Sequence, residues 1–399
     1  MKHLVIGSDL FKPSIGGTET VTENMATNLS KRGYRVTVVA PAPKDIKSPK
    51  LEKSDGYEIL RTRSYGLPIQ SNLRFAFRSY NQISEYFNKP ENKVDIVHVN
   101  NPFPTSKTLL KYSKKIHVPC VVGGHFMPES FTVGLRKMGG VHEIIDDIGW
   151  KRTVKFYNKA NAVVSPTKTA IDILKEHGLR VKTYAISNGL DLSKNKVLQV
   201  DKDYLRKKYG LSSKFVITYA GRLGVEKRID VIVTALYKLL QQDFDVQLLL
   251  IGDGNATKKL KKLIQKFGIK DKVIFTGYVG DTHQKQQLFA ISNIFAIASP
   301  VELQSIVTLE AMAAGLPVFA VNEGALPELA QKNVNGNTFD EGDSAGLARV
   351  IGNVLLDPVK LKQYRRESLR IIQDHNIKDT WFKYDQMYQE VLDKYLKST

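Results

Sequence analysis

The sequence predicts an α/β protein made of two doubly wound halves. Two patterns and the length carry that expectation. Short apolar runs alternate with helix-patterned segments, which implies mainly parallel strands covered by helices. The alternation breaks once, over the polar stretch Asp191 to Asp203, and then restarts. At 399 residues the chain is long enough for two domains, each with a sizeable core. Leu4–Gly7 reads as the first strand, and Gly16-Gly17-Thr18-Glu19 opens a helix that runs from Val21 to Arg32 and stops at Gly33. Arg35–Ala40, Tyr57–Arg61, Val94–Val99, Val118–Gly123, Ala162–Ser165 and Thr183–Ile186 continue the strands of the first half. After the linker come strand Phe215–Ala220, helix Ile229–Gln241, strand Val246–Ile251, helix Lys258–Phe267 and strand Val273–Phe275. Helix Thr282–Ile291, the apolar run Asn293–Ala298 and strand Leu316–Val321 follow. From about Ser344 the chain is helical by period, with breaks near Pro358 and Asn376. The expected domains are residues 1–190 and 191–379, two Rossmann-like domains facing a cleft.

Composition bounds the function. One cysteine, Cys120, allows no internal disulfide and fits a reducing compartment. The first apolar run is too short for a signal peptide, and no segment approaches the ~20 apolar residues of a spanning helix. The net charge of +19 is uneven: residues 1–190 hold 29 Lys+Arg against 16 Asp+Glu, and residues 191–399 hold 30 against 24. Such an excess attracts nucleic acid, anionic lipid or acidic substrates without choosing among them. A merely soluble basic protein has the same composition.

The most informative stretch runs from Ala298 to Pro317. Ser299-Pro300 ends a buried strand, Ser305 stands where a helix N-cap belongs, and Gly315 reads as a helix stop. Glu302 falls in the loop at the strand's C-terminal end, and Glu310 lies about a turn and a half into the helix. Loops in that position bind ligands in open α/β sheets, and the N–H groups of Ile306 and Val307 at the helix start suit phosphate. Carboxylates for hydroxyls beside a phosphate site describe a nucleotide-sugar. A second cluster, Ala220-Gly221-Arg222-Leu223 with Glu226-Lys227-Arg228, puts a glycine and then cations after another strand. Arg forks onto phosphate and Lys supplies a point charge. Gly252 in Ile251-Gly252-Asp253-Gly254, and Tyr278-Val279 after Thr276-Gly277, end two further strands.

Glu302, Glu310 and the tail Glu-Ala-Met-Ala-Ala-Gly-Leu-Pro together resemble the E-x7-E segment of family 4 of the retaining glycosyltransferases, which have the GT-B fold. The Gly221-Arg222-Leu223…Glu226-Lys227 cluster is similar to that family's donor-phosphate motif. Leu303-Gln304-Ser305 departs from the Gly-Phe-Gly usual after the first Glu, and looks like the subgroup that glycosylates diacylglycerol. The resemblance runs from near residue 1 to about Phe339. It implies a last helix, about 380–399, crossing back onto the first domain. It also implies that Arg222 and Lys227 hold the donor diphosphate and that no metal is needed. By the same resemblance the backbone of Tyr278 and Val279 lies along the base, and Gly16 and Gly17 line the first-domain side. His125 would then stand near the transferred sugar. Glu302 is expected to accept from sugar hydroxyls and Glu310 from the ribose. His98, two residues before Asn100, reads as structural.

No metal site stands out. Asp201-Lys202-Asp203 reads as a helix N-cap, and Asp243-Phe244-Asp245 precedes a strand rather than ending one. No Ser-His-Asp or Cys-His nucleophile arrangement is evident. On the acceptor side, Glu129 is a candidate contact. Leu73, Ala76, Phe77, Tyr80, Ile83 and Phe87 recur at helical spacing beside Arg74 and Arg78. The segment Phe131 to Lys159 adds Arg136, Lys137, Trp150, Lys151, Arg152, Lys155 and Phe156. Basic, aromatic amphipathic stretches can lie on a membrane surface or simply pack onto their own domain.

The expected function is retaining transfer of a hexose, with glucose from UDP-glucose as the first expectation. The expected acceptor is a hydroxyl of diacylglycerol or a glycolipid, at the cytoplasmic face of an anionic membrane. No cofactor beyond the nucleotide-sugar and no nucleic-acid partner are expected, since the aromatics form no recognisable RNA-binding module. The alternatives are transfer to a polysaccharide or another acceptor, a nucleotide-sugar epimerase of the same fold, or a basic nucleic-acid-binding protein.

Overall fold

Two sheets, each with helices along its strand connections, organise the chain. The computed structural model describes residues 1–14, 16–44, 46, 49–67, 70–132 and 140–398. One compact unit comprises Met1–Pro128, Glu143–Ser187 and Asp379–Thr399; the other comprises Glu129–His142 and Asn188–Lys378.

In the first unit, β1 (His3–Gly7), α1 (Gly17–Lys31), β2 (Arg35–Pro41), β3 (Lys50–Lys53) and β4 (Glu58–Thr62) come first. A hairpin of β5 (Tyr65–Leu67) and β6 (Gln70–Phe75) leads to α2 (Tyr80–Phe87), β7 (Ile96–Asn100), α3 (Pro104–Lys115) and β8 (Cys120–Gly123). Then follow α4 (Val141–Tyr157), β9 (Ala162–Ser165), α5 (Lys168–Glu176) and β10 (Lys182–Ala185). The main sheet has the order β10-β9-β8-β7-β1-β2-β4-β3, parallel except for the edge pair β3–β4. Strand order reverses between β1 and β7, so the loops after those two strands diverge at a topological switch point.

One buried carboxylate ties those loops together. Asp9, just past β1, accepts from the Thr105 amide at 2.9 Å, the Thr105 hydroxyl at 2.8 Å and the Ala76 amide at 3.3 Å. The last contact corrects a sequence expectation. The apolar spacing of Leu73 to Phe87 reads as one helix, but only Tyr80–Phe87 is helical and Gln70–Phe75 is a strand. Local periodicity loses here to tertiary hydrogen bonds. Asp9 takes the Ala76 amide, and the Arg74 guanidinium donates to Ala42 O, Ser64 Oγ and Ser64 O. The edge strand β3 and the hairpin have no sequence signal strong enough to be expected.

The second unit holds α6 (Lys202–Lys208), β11 (Phe215–Ala220), α7 (Ile229–Leu240), β12 (Val246–Ile251), α8 (Thr257–Phe267), β13 (Val273–Gly277) and α9 (Thr282–Ala290). It continues with β14 (Ile294–Ile297), α10 (Ile306–Ala313), β15 (Val318–Val321), α11 (Leu326–Leu329) and β16 (Gly336–Phe339). Helices α12 (Ser344–Leu355), α13 (Pro358–Ile371) and α14 (Ile377–Ser398) complete the chain. The sheet, β13-β12-β11-β14-β15-β16, is wholly parallel. Strands β12, β14 and β15 are buried along their whole length, as a sheet covered on both faces requires. Strand order reverses between β11 and β14. From Asp379 onward α14 belongs to the first unit, where its buried Tyr388 hydroxyl meets His98 Nδ1 at 2.9 Å.

Burial lifts the Asp9 pKa to about 6, against the pull of its hydrogen bonds. A carboxyl whose folded pKa is raised binds its proton more tightly in the native state. Its contribution therefore falls as pH climbs from the unfolded value near 4 to about 6. The stability of Asp9→Asn relative to wild type should accordingly rise over that window in urea unfolding. A pH-independent difference would contradict this assignment.

Candidate active site

The two motif-bearing loops of the second unit leave the sheet at its switch point. The loop after β11 carries Gly221 to Arg228, and the loop after β14 carries Ser299 to Ser305. There Lys227 Nζ donates to Glu302 Oε1 at 2.6 Å, with both side chains largely shielded. Arg222 pairs with Glu226 at 2.7 Å, yet its own side chain is 62% exposed while Glu226 is covered. A carboxylate thus tethers the arginine and leaves most of its guanidinium open for a ligand.

Glycines make this crowding possible. Gly221 has φ 131° and Gly252 φ 136°, and a Cβ on Gly252 would stand 2.0 Å from the Gly221 carbonyl. A Cβ on Gly254 would be 2.5 Å from Leu223 O. Backbone bonds from Gly221 N to Ile251 O, Leu223 N to Asp253 O and Gly252 N to Gly277 O stitch together the ends of β11, β12 and β13. Gly252 is therefore a close-packing residue first, and any donor contact it makes uses the backbone so exposed. Tyr278 is 65% exposed and Val279 half-buried, in the loop between β13 and α9.

Ser305 caps α10, its Oγ accepting from the Thr308 amide at 3.3 Å and from the Thr308 hydroxyl at 2.8 Å. Ile306 and Val307 form the helix's first turn, ahead of its intrahelical bonds, where amides attract anions. Gln304 braces the loop, because its Oε1 accepts the Asn188 amide at 2.8 Å. Gly324, at φ +55°, lets that backbone pass, since a Cβ there would meet Glu302 O at 2.6 Å. Glu310 is buried, and Lys285 Nζ reaches both of its carboxylate oxygens, at 2.6 and 2.8 Å. Sequence reading misses Lys285, because a lysine on one helix and a glutamate on the next share no local pattern.

In the first unit, Gly16 is extended at the N-cap of α1, and a Cβ on Gly17 would meet open space. His125 follows β8. A Cβ on Gly123 would lie 2.3 Å from Asn100 Oδ1 and 3.1 Å from both His125 Cδ2 and His98 Nε2. His125 Nε2 is buried without a hydrogen-bond partner among the described residues. Desolvation lowers the His125 pKa to about 4, and that of His98 to about 3. His98 is committed to Tyr388 and Asn100, in keeping with a structural role.

The acceptor-side candidates divide. Trp150 is buried and stacks on His177 with ring centroids 4.3 Å apart, so it belongs to the core and not to a surface. Arg74 is spent on the bonds to Ala42 O, Ser64 O and Ser64 Oγ described above. Arg78 is exposed at φ 58°, while Lys151 and Arg152 are exposed on α4, with Lys151 paired to Asp147 at 2.6 Å. Glu129 is half-buried. Arg136 and Lys137 lie outside the described residues. Sequence reading passes over Ile144, Ile145 and Ile148, which are 64%, 44% and 45% exposed. At helical spacing they share a face with Lys151, Arg152 and Lys155. Among the described residues no group of three or more His, Cys, Asp and Glu side chains gathers as for a metal.

The two units, each with its own topological switch point, have the GT-B fold found among glycosyltransferases. Sucrose-phosphate synthase of Thermosynechococcus elongatus superposes with a TM-score of 0.81 at 18% identity, over 99% of this chain and all of the other. HepE of Anabaena, solved in complex with UDP-glucose, gives 0.77 at 21% identity, over 98% of this chain and all of the other.

The chain belongs to family 4 of the glycosyltransferases. The family described as Glycosyltransferase Family 4 matches residues 15–194, and the one described as Glycosyl transferases group 1 matches residues 201–370. Among curated relatives, the alpha-monoglucosyldiacylglycerol synthase of Streptococcus pneumoniae is 25% identical over 85% of this chain and 76% of its own length. That of Acholeplasma laidlawii is 24% identical over 85% of each.

With its pKa near 4, His125 is neutral at physiological pH. Its ring-proton NMR signals should hold still between pH 5 and 8; a titration centred near 6.5 would place the ring in water instead.

Proposed function

We propose that this chain is a retaining, metal-independent hexosyltransferase that moves glucose from UDP-glucose to a hydroxyl of diacylglycerol or a glycolipid. The observation that carries the donor half is the Lys227–Glu302 pair at 2.6 Å, with Arg222 beside it on the same strand-end loop. Cations set where a diphosphate departs stabilise the negative charge that grows on it. Glu302, steered by Lys227, is suited to accept from sugar hydroxyls. Glu310 is suited to accept from the ribose, with the first amides of α10 near the phosphates.

The acceptor oxygen bonds the anomeric carbon as the bond from that carbon to the phosphate oxygen breaks. The acceptor proton passes to the departing phosphate oxygen, and UDP leaves. Attack from the face the nucleotide leaves keeps the anomeric configuration.

The lipid acceptor draws support from α4, whose exposed Ile144, Ile145 and Ile148 run on into Lys151, Arg152 and Lys155. Apolar side chains and cations on one helical face suit an anionic lipid surface. The names of the two curated synthases agree with that acceptor. No helix among the described residues is long and apolar enough to cross a membrane. The working location is the cytoplasmic membrane face, reached from the water side, with the basic excess serving lipid rather than nucleic acid.

Incubation with radiolabelled UDP-glucose and anionic vesicles containing diacylglycerol should put label into the lipid phase. Arg222→Ala should lower kcat by roughly 10²–10³, the loss typical of one donor to a developing anion. Free glucose without lipid product, or full activity in the variant, would contradict the proposal.

A further inference from the structure

The strand-end motifs leave Lys285, a largely shielded cation, unused. Lys285 sits in the first turns of α9, whose N-cap Asp281 accepts from Gln284 N at 2.8 Å. Its neighbours fix that helix in place: Gln284 Nε2 donates to Tyr209 OH at 3.2 Å, and Gln286 Nε2 to the buried Asn195 Oδ1 at 3.1 Å. From this rigid base Lys285 Nζ spans to α10 and donates to both oxygens of Glu310, at 2.6 and 2.8 Å. The lysine side chain is 19% exposed and the glutamate's 10%.

An ion pair so well shielded gains little stability over apolar packing of the same volume, so its value lies in placing its members. A carboxylate offers about four lone-pair directions, and Lys285 occupies one on each oxygen. The remaining directions stay available for a pair of neighbouring hydroxyls. Lys285 therefore aims Glu310 without closing it. It also ties the element that follows the Tyr278–Val279 loop to the helix that carries Glu310, so base and ribose contacts would be set from one rigid frame.

We propose that Lys285 is a positioning residue for nucleotide recognition. It acts through Glu310 and makes the site select a ribose over a deoxyribose. This rests on the donor-site reading above. Lys285 itself need touch neither the sugar nor the phosphates.

Calorimetric titration of the full chain with UDP and with 2′-deoxy-UDP tests it. Wild type should favour UDP by about tenfold, the scale of one hydrogen bond to a charged group. Lys285→Met should weaken UDP binding by a similar factor and change 2′-deoxy-UDP less than about twofold, so that the preference collapses. Lys285→Arg should restore most of it. In the Glu310→Gln background, Lys285→Met should cause no further loss, because the lysine acts through that carboxylate. That comparison also separates recognition from any damage to folding. Equal weakening of both ligands would mean that the lysine meets phosphate or base, and would overturn the inference. So would an unchanged preference. If wild type binds neither nucleotide, the donor-site reading fails and this inference falls with it; if it binds UDP selectively and Lys285→Met leaves that selectivity intact, only the inference falls.

Discussion

The second unit is organised around one short contact, Lys227 to Glu302 across the divergence of β11 and β14. A parallel sheet whose strand order reverses must send two neighbouring loops apart, and the gap at their base is the natural ligand seat. Here the gap is bridged by opposite charges, one from each loop. The same loops are pressed against their neighbours by glycines that no residue with a Cβ could replace without moving backbone, Gly252 against Gly221 and Gly324 against Glu302. Packing fixes where the strand ends lie, and the ion pair fixes which way their side chains point.

The site repeats this device. Both motif carboxylates rest on lysines, Glu302 on Lys227 and Glu310 on Lys285. Compensated in this way, a shielded carboxylate keeps acceptor capacity for hydroxyls without standing as a lone buried charge. Arg222 is the contrasting case. Its partner Glu226 is covered while most of the guanidinium faces outward, as an anion-binding group requires. The first unit has its own reversal, between β1 and β7, and there the tie is the hydrogen-bonded carboxyl of Asp9. His125 stands one strand further along, neutral and with an unpartnered buried nitrogen among the described residues.

Much of this is legible in the sequence because the informative features are local. Alternating apolar runs announce parallel strands, and Ser305, Asp201 and Gly315 mark helix ends where the structure has them. Glu302, Lys227 and Arg222 are readable because each follows a strand end within a few residues. What escapes depends on distant partners. The hairpin at Gln70–Phe75 is held by Asp9, Ala42 and Ser64, and its helical spacing misleads. Trp150 resembles an interfacial anchor until His177 is seen stacked on it, whereas Ile144, Ile145 and Ile148, two to six residues earlier, are the exposed ones. Lys285 looks like any surface lysine until α9 and α10 are placed side by side.

Hydrogen exchange of the full chain, with and without UDP, tests the central claim most directly. If the nucleotide sits on the reversal of the second sheet, its amides should slow over residues 221–228 and 302–308. The loops after β12 and β13 should follow to a lesser degree. Protection confined to the first unit, or absent from both strand-end loops at saturating UDP, would contradict the account.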